Sequence, residues 1–246
     1  MRLLLIDVSN SRTKYALARK GELGRIRQAL THSLDANAVR LLLEPASRCD
    51  GVVLCSVVPR VTALFEIEPI PSLIRVQHRM KLNFGFDYPK PEEIGADRLA
   101  DTAALVADYG APAIGMDLGT AATIEVVDPE GRFAGGVIAP GPDMMLQALH
   151  QKTAQLPATP DAGPITLPAK NTMAAMRAGC YAAYPHLLES LLEQTIAGVA
   201  WGKRHFPVVL TGGVAPMVYG LWRRKTILDP HLTLRGLLRL GELNIV

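Results

Sequence analysis

One pattern occurs twice in this chain, and it constrains the fold more than any other feature. Asp7-Val-Ser-Asn-Ser-Arg-Thr follows an apolar run at residues 3–6, and Asp117-Leu-Gly-Thr-Ala-Ala-Thr follows another at 113–116. A second strand-like run comes after each, at 15–18 and at 123–127. Each copy therefore reads as strand, tight turn, strand, with a carboxylate where the first strand ends. Backbone N–H groups and hydroxyls in such a turn can cradle phosphate oxygens while the Asp holds a cation. Two such hairpins in two halves of one chain predict a nucleotide gripped between two similar lobes.

The bulk properties fit that reading. The chain has 246 residues, room for one large domain or two smaller lobes. Apolar residues make up 49% and aromatics only 5%, which suits a packed soluble core. A net charge of +3 gives no strong nucleic-acid signal, and the densest basic cluster, Arg223-Arg224-Lys225, reads as solvated surface. Cys49, Cys55 and Cys180 are widely spaced and odd in number, so they show neither metal spacing nor a disulfide framework, which points to a reducing cytoplasm. The run at 3–6 is too short for a signal segment, and no window approaches the length of a membrane span. The six His are scattered without ligand spacing. Neither a nucleic-acid nor a membrane partner is expected.

Along the chain, residues 1–110 read as a first lobe and 111–246 as a second. In the first, 34–43 has helical spacing and is stopped by Pro45, 51–58 is a buried strand ended by Pro59, 83–94 is a Pro- and Gly-containing loop, and a helix begins near Asp97. In the second, a turn at 128–131 leads to a third strand at 133–141, and Pro142 starts a helix. Residues 157–170 form a polar loop, and 171–200 is a long helical region with breaks at Gly179 or Pro185. Residues 207–213 are a strand ending in a Gly-rich turn. This order predicts two related α/β lobes.

Several motifs carry two readings. Thr211-Gly212-Gly213 after an apolar strand is either a plain turn or a place where a flat ligand sits against the backbone. Gly135-Gly136 within a strand marks a bulge or a ligand approach. Gly95-Ala96-Asp97-Arg98 opens a helix: Asp97 is either an ordinary N-cap or a carboxylate that accepts a proton while Arg98 holds an anionic substrate.

Taken together, the motifs resemble one family. Asp-x-x-Asn-Ser/Thr, Ser-Val-Val-Pro at 56–59, Tyr88 ahead of Gly-Ala-Asp-Arg at 95–98, Asp-x-Gly-Thr-Ala at 117–121, Gly-Gly-x-Ile-x-Pro-Gly at 135–141, Asn-Thr at 171–172 and Thr-Gly-Gly at 211–213 occur in the order found in type III pantothenate kinases. The similarity spans nearly the whole chain, including the ending Leu232-Thr-Leu-Arg-Gly-Leu. That family belongs to the acetate and sugar kinase/heat-shock cognate/actin superfamily. The resemblance implies an α/β fold of two ribonuclease H-like lobes, with mixed sheets flanked by helices in an actin-like ATPase architecture, and a homodimer. It implies ATP-dependent phosphorylation of the primary hydroxyl of pantothenate, the first step toward coenzyme A, with Mg2+ and a monovalent cation, K+ or NH4+.

The same resemblance distributes the roles. Asp7, Val8, Ser9, Asn10, Ser11, Arg12, Thr13 and Lys14 would form the first phosphate loop. Tyr88, Gly95, Ala96, Asp97, Arg98 and Thr172 would contact pantothenate, with Asp97 as proton acceptor. Asp117 would bind the monovalent cation, Thr120 the ATP, and Thr211, Gly212 and Gly213 would lie near the adenosine.

Two positions depart from the family pattern. Ser9 stands where Gly is usual, and if the turn needs positive φ it costs roughly 1 kcal/mol of strain. Glu125 stands where Asp is common. Both put nucleotide affinity in question. The alternatives are a kinase for another small hydroxy acid, and an accessory protein of the same fold that binds nucleotide without turnover, for which Ser9 is the sequence support.

Overall fold

The computed structural model describes residues 1–70, 72–158, 165–199, 201 and 204–245. They form two compact units. The first comprises Met1–Gly115, Glu125–Gly135 and His231–Val246; the second comprises Met116–Ile124 and Gly136–Pro230.

In chain order the elements are β1 (Arg2–Val8), β2 (Arg12–Arg19), β3 (Glu22–Leu23), β4 (Arg27–Leu30), α1 (Ala36–Leu43), β5 (Gly51–Ser56), α2 (Pro59–Glu66), β6 (Leu73–Arg75), β7 (Gly85–Phe86) and α3 (Ala96–Ala104). There follow β8 (Ala113–Leu118), β9 (Ala121–Val127), β10 (Arg132–Pro140), α4 (Pro142–Lys152), α5 (Thr172–Tyr181), α6 (Tyr184–Gly198), β11 (Val208–Thr211), α7 (Ala215–Val218), β12 (Ile227–Leu228) and α8 (Leu232–Asn244).

The first sheet runs β3-β2-β1-β5-β6, with β4 also paired to β2. β1 is antiparallel to β2 and parallel to β5, and β5 is parallel to β6. β1 is apolar without alternation because both of its faces are covered. Leu3 and Leu5 join one buried cluster with Ala16, Val53 and, from α8, Leu234 and Leu237. Leu4, Ile6 and Val8 join another with Val39, Val61 and Phe65.

The second sheet runs β12-β11-β8-β9-β10-β7. Apart from the short β7, its order repeats that of the first: a hairpin, its first strand in the middle, then two further strands. The last of these pairs are parallel in both sheets. β1 and β8 hold equivalent central places, and each carries its Asp, Asp7 or Asp117, one residue before the strand ends. The α/β architecture of mixed sheets flanked by helices is thus present in duplicate.

Several elements differ from the sequence expectation. Pro59 both ends β5 and sits in the first turn of α2, a helix that the Val-Val-Pro punctuation conceals. The 83–94 loop contains β7 and a short 3-10 turn at Pro91–Glu93. The helical region from 171 is two helices, α5 and α6, with Pro185 opening the second and Gly179 remaining inside the first; Ala200 and part of the 157–170 loop lie outside the described residues. The chain ending is helix α8, which packs closely on α3: a Cβ at Gly236 would lie 1.8 Å from the Ala100 carbonyl oxygen. Among the described residues no helix is long and apolar enough to cross a membrane.

Candidate active site

The turn between β1 and β2 is braced from behind. Ser9 N–H donates to the Arg12 carbonyl at 3.2 Å, and Thr31 N–H donates to the Ser11 carbonyl at 3.1 Å. Thr31 Oγ1 donates to the Ser9 carbonyl at 2.7 Å and lies 3.0 Å from Thr13 Oγ1. Asp7 is almost wholly buried and accepts from Ser9 Oγ at 3.1 Å. Val8 and Thr13 are buried, whereas Asn10, Ser11 and Arg12 are exposed and Ser9 and Lys14 partly so. The strain anticipated at Ser9 is absent. Among the described residues Lys20 alone, apart from glycines, has positive φ, so Ser9 occupies an ordinary conformation. No sequence signal marked Thr31 as the brace, because its role depends on where β4 pairs.

In the second unit, three segments meet at the turn after β8. Gly212 has φ +89°, and a Cβ there would sit 2.3 Å from Asp117 Oδ1 and 2.5 Å from the Leu118 carbonyl oxygen. Only glycine fits both the backbone angle and the approach. Val214 N–H donates to the Leu118 carbonyl at 2.8 Å, and Gly141 N–H donates to the Thr120 carbonyl at 3.0 Å. The structure therefore brings Thr211–Gly213 against Asp117 and fixes Thr120 from its other side. Gly135 lies within β10 with φ +115°, a backbone conformation that favours glycine. Thr172 is the exposed first residue of α5, whose N-cap Asn171 accepts from Ala174 N–H at 2.9 Å.

The Gly95–Arg98 segment lies in the first unit. Gly95, not Asp97, is the N-cap of α3, and no side chain caps it. Asp97 Oδ1 accepts instead from the Arg98 N–H at 2.8 Å. A Cβ at Gly95 would come 2.6 Å from that same Oδ1, so a larger residue there would push the carboxylate from this position. Burial pushes the Asp97 carboxyl above its ordinary range, opposed by the Arg98 N–H bond and the Arg98 charge. A carboxylate made more basic is a better proton acceptor near neutral pH.

Arg98 is held on two sides. Its Nε donates to Glu125 Oε1 at 3.0 Å, and its guanidinium carbon lies 5.1 Å from the centre of the Phe133 ring. Tyr88 sets its ring edge-on to the same Phe133, with centroids 5.4 Å apart at 78°. The sequence puts nucleotide affinity in question at Glu125, but its side chain is fully buried and pairs with Arg98. The sequence reading notes Glu125 only as a departure and misses its pairing with Arg98, and it misses Phe133 altogether; a charged residue within the apolar run of β9 was the available signal.

Among the described residues no group of three or more His, Cys, Asp or Glu could enclose a metal. The arrangement at Asp7 and at Asp117, a single carboxylate beside each hairpin turn, fits only a cation that takes most of its ligands from elsewhere, such as phosphate oxygens and water.

Comparison with known proteins agrees in family and fold. The profile of the family described as type III pantothenate kinase matches residues 3–194. A type III pantothenate kinase of Methylacidiphilum infernorum is 36% identical over 243 residues, covering 99% of this chain and 89% of that protein. One from Akkermansia muciniphila is 36% identical over 246 residues and covers both chains entirely. Among solved structures, the ADPNP-bound activator of 2-hydroxyisocaproyl-CoA dehydratase from Clostridium difficile superimposes with a TM-score of 0.58 at 12% identity, covering 98% of this chain and 92% of that one. Component A of (R)-2-hydroxyglutaryl-CoA dehydratase from Acidaminococcus fermentans gives 0.57 at 12% identity, covering 98% and 96%. At such identity the likeness concerns the fold alone, the actin-like ATPase architecture.

Proposed function

The chain belongs to the type III pantothenate kinase family, and on that premise we propose that it transfers the γ-phosphoryl group of ATP to the primary hydroxyl of pantothenate, giving 4′-phosphopantothenate on the route to coenzyme A. The observation that carries the reading is the Asp97 carboxylate. It sits in room left by Gly95, is made more basic by burial, and lies beside a guanidinium pinned by Glu125.

In this reading Arg98 and Tyr88 hold the acid substrate, with Gly95, Ala96 and Thr172 completing its contacts. The turn from Asp7 to Lys14 and Thr120 bind the phosphates of ATP, and Thr211, Gly212 and Gly213 meet its adenosine. Phosphoryl transfer asks a protein mainly for positioning and charge stabilisation. The new O–P bond forms on the primary hydroxyl as the bond to ADP breaks, and late in that step the hydroxyl proton passes to Asp97. Mg2+ on the phosphates, with Asp7 beside them, and K+ or NH4+ at Asp117 would supply charge neutralisation. The enzyme acts in the cytoplasm as a homodimer. The unstrained Ser9 favours this reading over that of a relative that binds nucleotide without turnover, since the backbone-strain argument for the latter falls away.

A coupled assay of ADP release tests this, with ATP, Mg2+ and either pantothenate, other small hydroxy acids or no acceptor. Release should depend on pantothenate and should be faster in K+ or NH4+ than in Na+ at fixed ionic strength. Release indifferent to pantothenate, or greater with another acid, would overturn the assignment; equal rates in the three salts would remove the cation site from Asp117.

A further inference from the structure

We propose that Glu125 is a positioning residue that sets acceptor specificity, by holding the Arg98 guanidinium in the orientation that receives the carboxylate of the acid substrate. The proposal rests on the reading of Arg98 given above.

Glu125 lies in β9 among Ile124, Val126 and Val127, and its side chain is 0% exposed, while that of Arg98 is 11% exposed. A carboxylate so placed must be paired, since an isolated buried charge is costly. Yet a buried ion pair is seldom better for stability than apolar residues of the same volume. What it does give is geometry. A guanidinium is a rigid plane, so an acceptor on Nε fixes its rotation within the plane and a ring beneath fixes its tilt. Glu125 supplies the first constraint and Phe133 the second.

Two further observations place this pair at the acceptor end of the site. The Phe133 ring that supports Arg98 also supports Tyr88, so one buried side chain registers both residues assigned to the acid substrate. The Arg98 backbone N–H is also the donor to Asp97, so the residue that carries the guanidinium also holds the neighbouring carboxylate. The carboxylate packs beside a glycine: a Cβ at Gly115 would lie 3.6 Å from Glu125 Oε2, in ordinary contact, and 2.7 Å from Leu105 Cδ1. A site organised to bond a carboxylate rejects an analogue that lacks one, because the N–H donors it presents are then left unpaired.

The test compares Glu125→Gln with the wild type on two acceptors, pantothenate and pantothenol, which keeps the primary hydroxyl but carries an alcohol in place of the carboxylate. The expected result is a rise of about 10-fold or more in KM for pantothenate, with KM for ATP and for pantothenol each moving less than about 2-fold, so that the preference for the acid collapses. Glu125→Asp keeps the charge with a shorter reach and should show the same split at smaller amplitude; it carries the test alone if Glu125→Gln does not fold. Equal rises for both acceptors, a rise confined to ATP, or no change for pantothenate would overturn the proposal. A wild-type enzyme that phosphorylates neither acceptor would remove the functional reading, and this proposal with it.

Discussion

Ser9 leaves the turn between β1 and β2, the proposed first phosphate loop, unstrained, and its hydroxyl donates to Asp7. Ser9→Gly should therefore leave KM for ATP no lower than in the wild type. It should cost about 0.4–1 kcal/mol of stability in thermal melts, because glycine frees the unfolded chain; a clearly lower KM would show that the serine hinders nucleotide binding after all. At Asp97 the sign of the pKa shift decides two outcomes. Its carboxyl is raised when folded, so between the ordinary carboxylate range and the raised value the native state holds more protons than the unfolded one. Stability falls as pH rises through that window and stays lower above it. Asp97→Asn removes the buried charge, so its melting temperature at pH 7 should equal or exceed the wild-type value. Turnover should nonetheless fall by at least about 100-fold, the usual cost of losing a general base. In the wild type, turnover should drop on the acid side at a pH above the ordinary carboxylate value of about 4. A fully active Asn variant would return Asp97 to holding the first turn of α3.

Helix α8 is what fixes α3, and through it the Gly95–Arg98 segment. The two helices meet backbone to backbone at Gly236, and Asp108, just beyond α3, pairs with Arg235 at 3.0 Å and Arg239 at 3.3 Å. Gly236→Ala should destabilise the protein by about 1–3 kcal/mol in urea unfolding, since neither backbone can yield without moving its helix. Gly179→Ala is the matched control. Gly179 is exposed within α5 with nothing near its missing Cβ, so the same change there should stabilise by about 0.5–1 kcal/mol. Equal effects at the two sites would mean that helix propensity, rather than the α3–α8 approach, governs Gly236.

For the molecule as a whole, the repeated hairpin was the most legible feature because everything that makes it is local: an apolar run, an Asp, small turn residues and a second run. Gly212 was legible as a turn, but its approach to Asp117 was not, since that depends on β11 lying beside β8. The Glu125–Arg98 pair was hidden for the same reason; a strand residue and a helix residue meet only once the sheet is built. α2 was missed because Pro59 is a stop for one element and a start for the next. Of the apolar positions at helical spacing from 171, Met176, Cys180 and Tyr184 are buried in their own unit, while Met173 stays 43% exposed. Met144 and Leu187 are also exposed, so α4, α5 and α6 each carry an exposed apolar side chain, which the homodimer proposed above would cover if it forms through these helices. Light scattering at micromolar concentration should give the dimer mass; a monomer would reject that assembly.

The claim on which the rest depends is transfer to the primary hydroxyl of pantothenate, and proton-coupled phosphorus NMR of the reaction mixture reads it directly. A phosphate on that hydroxyl is attached through a methylene carbon and splits into a triplet. The expected spectrum shows a new phosphomonoester triplet that grows with ADP and requires both ATP and pantothenate. A doublet would place the phosphate on the secondary hydroxyl, and ADP formed with no new monoester would mean that this chain hydrolyses ATP without transferring it.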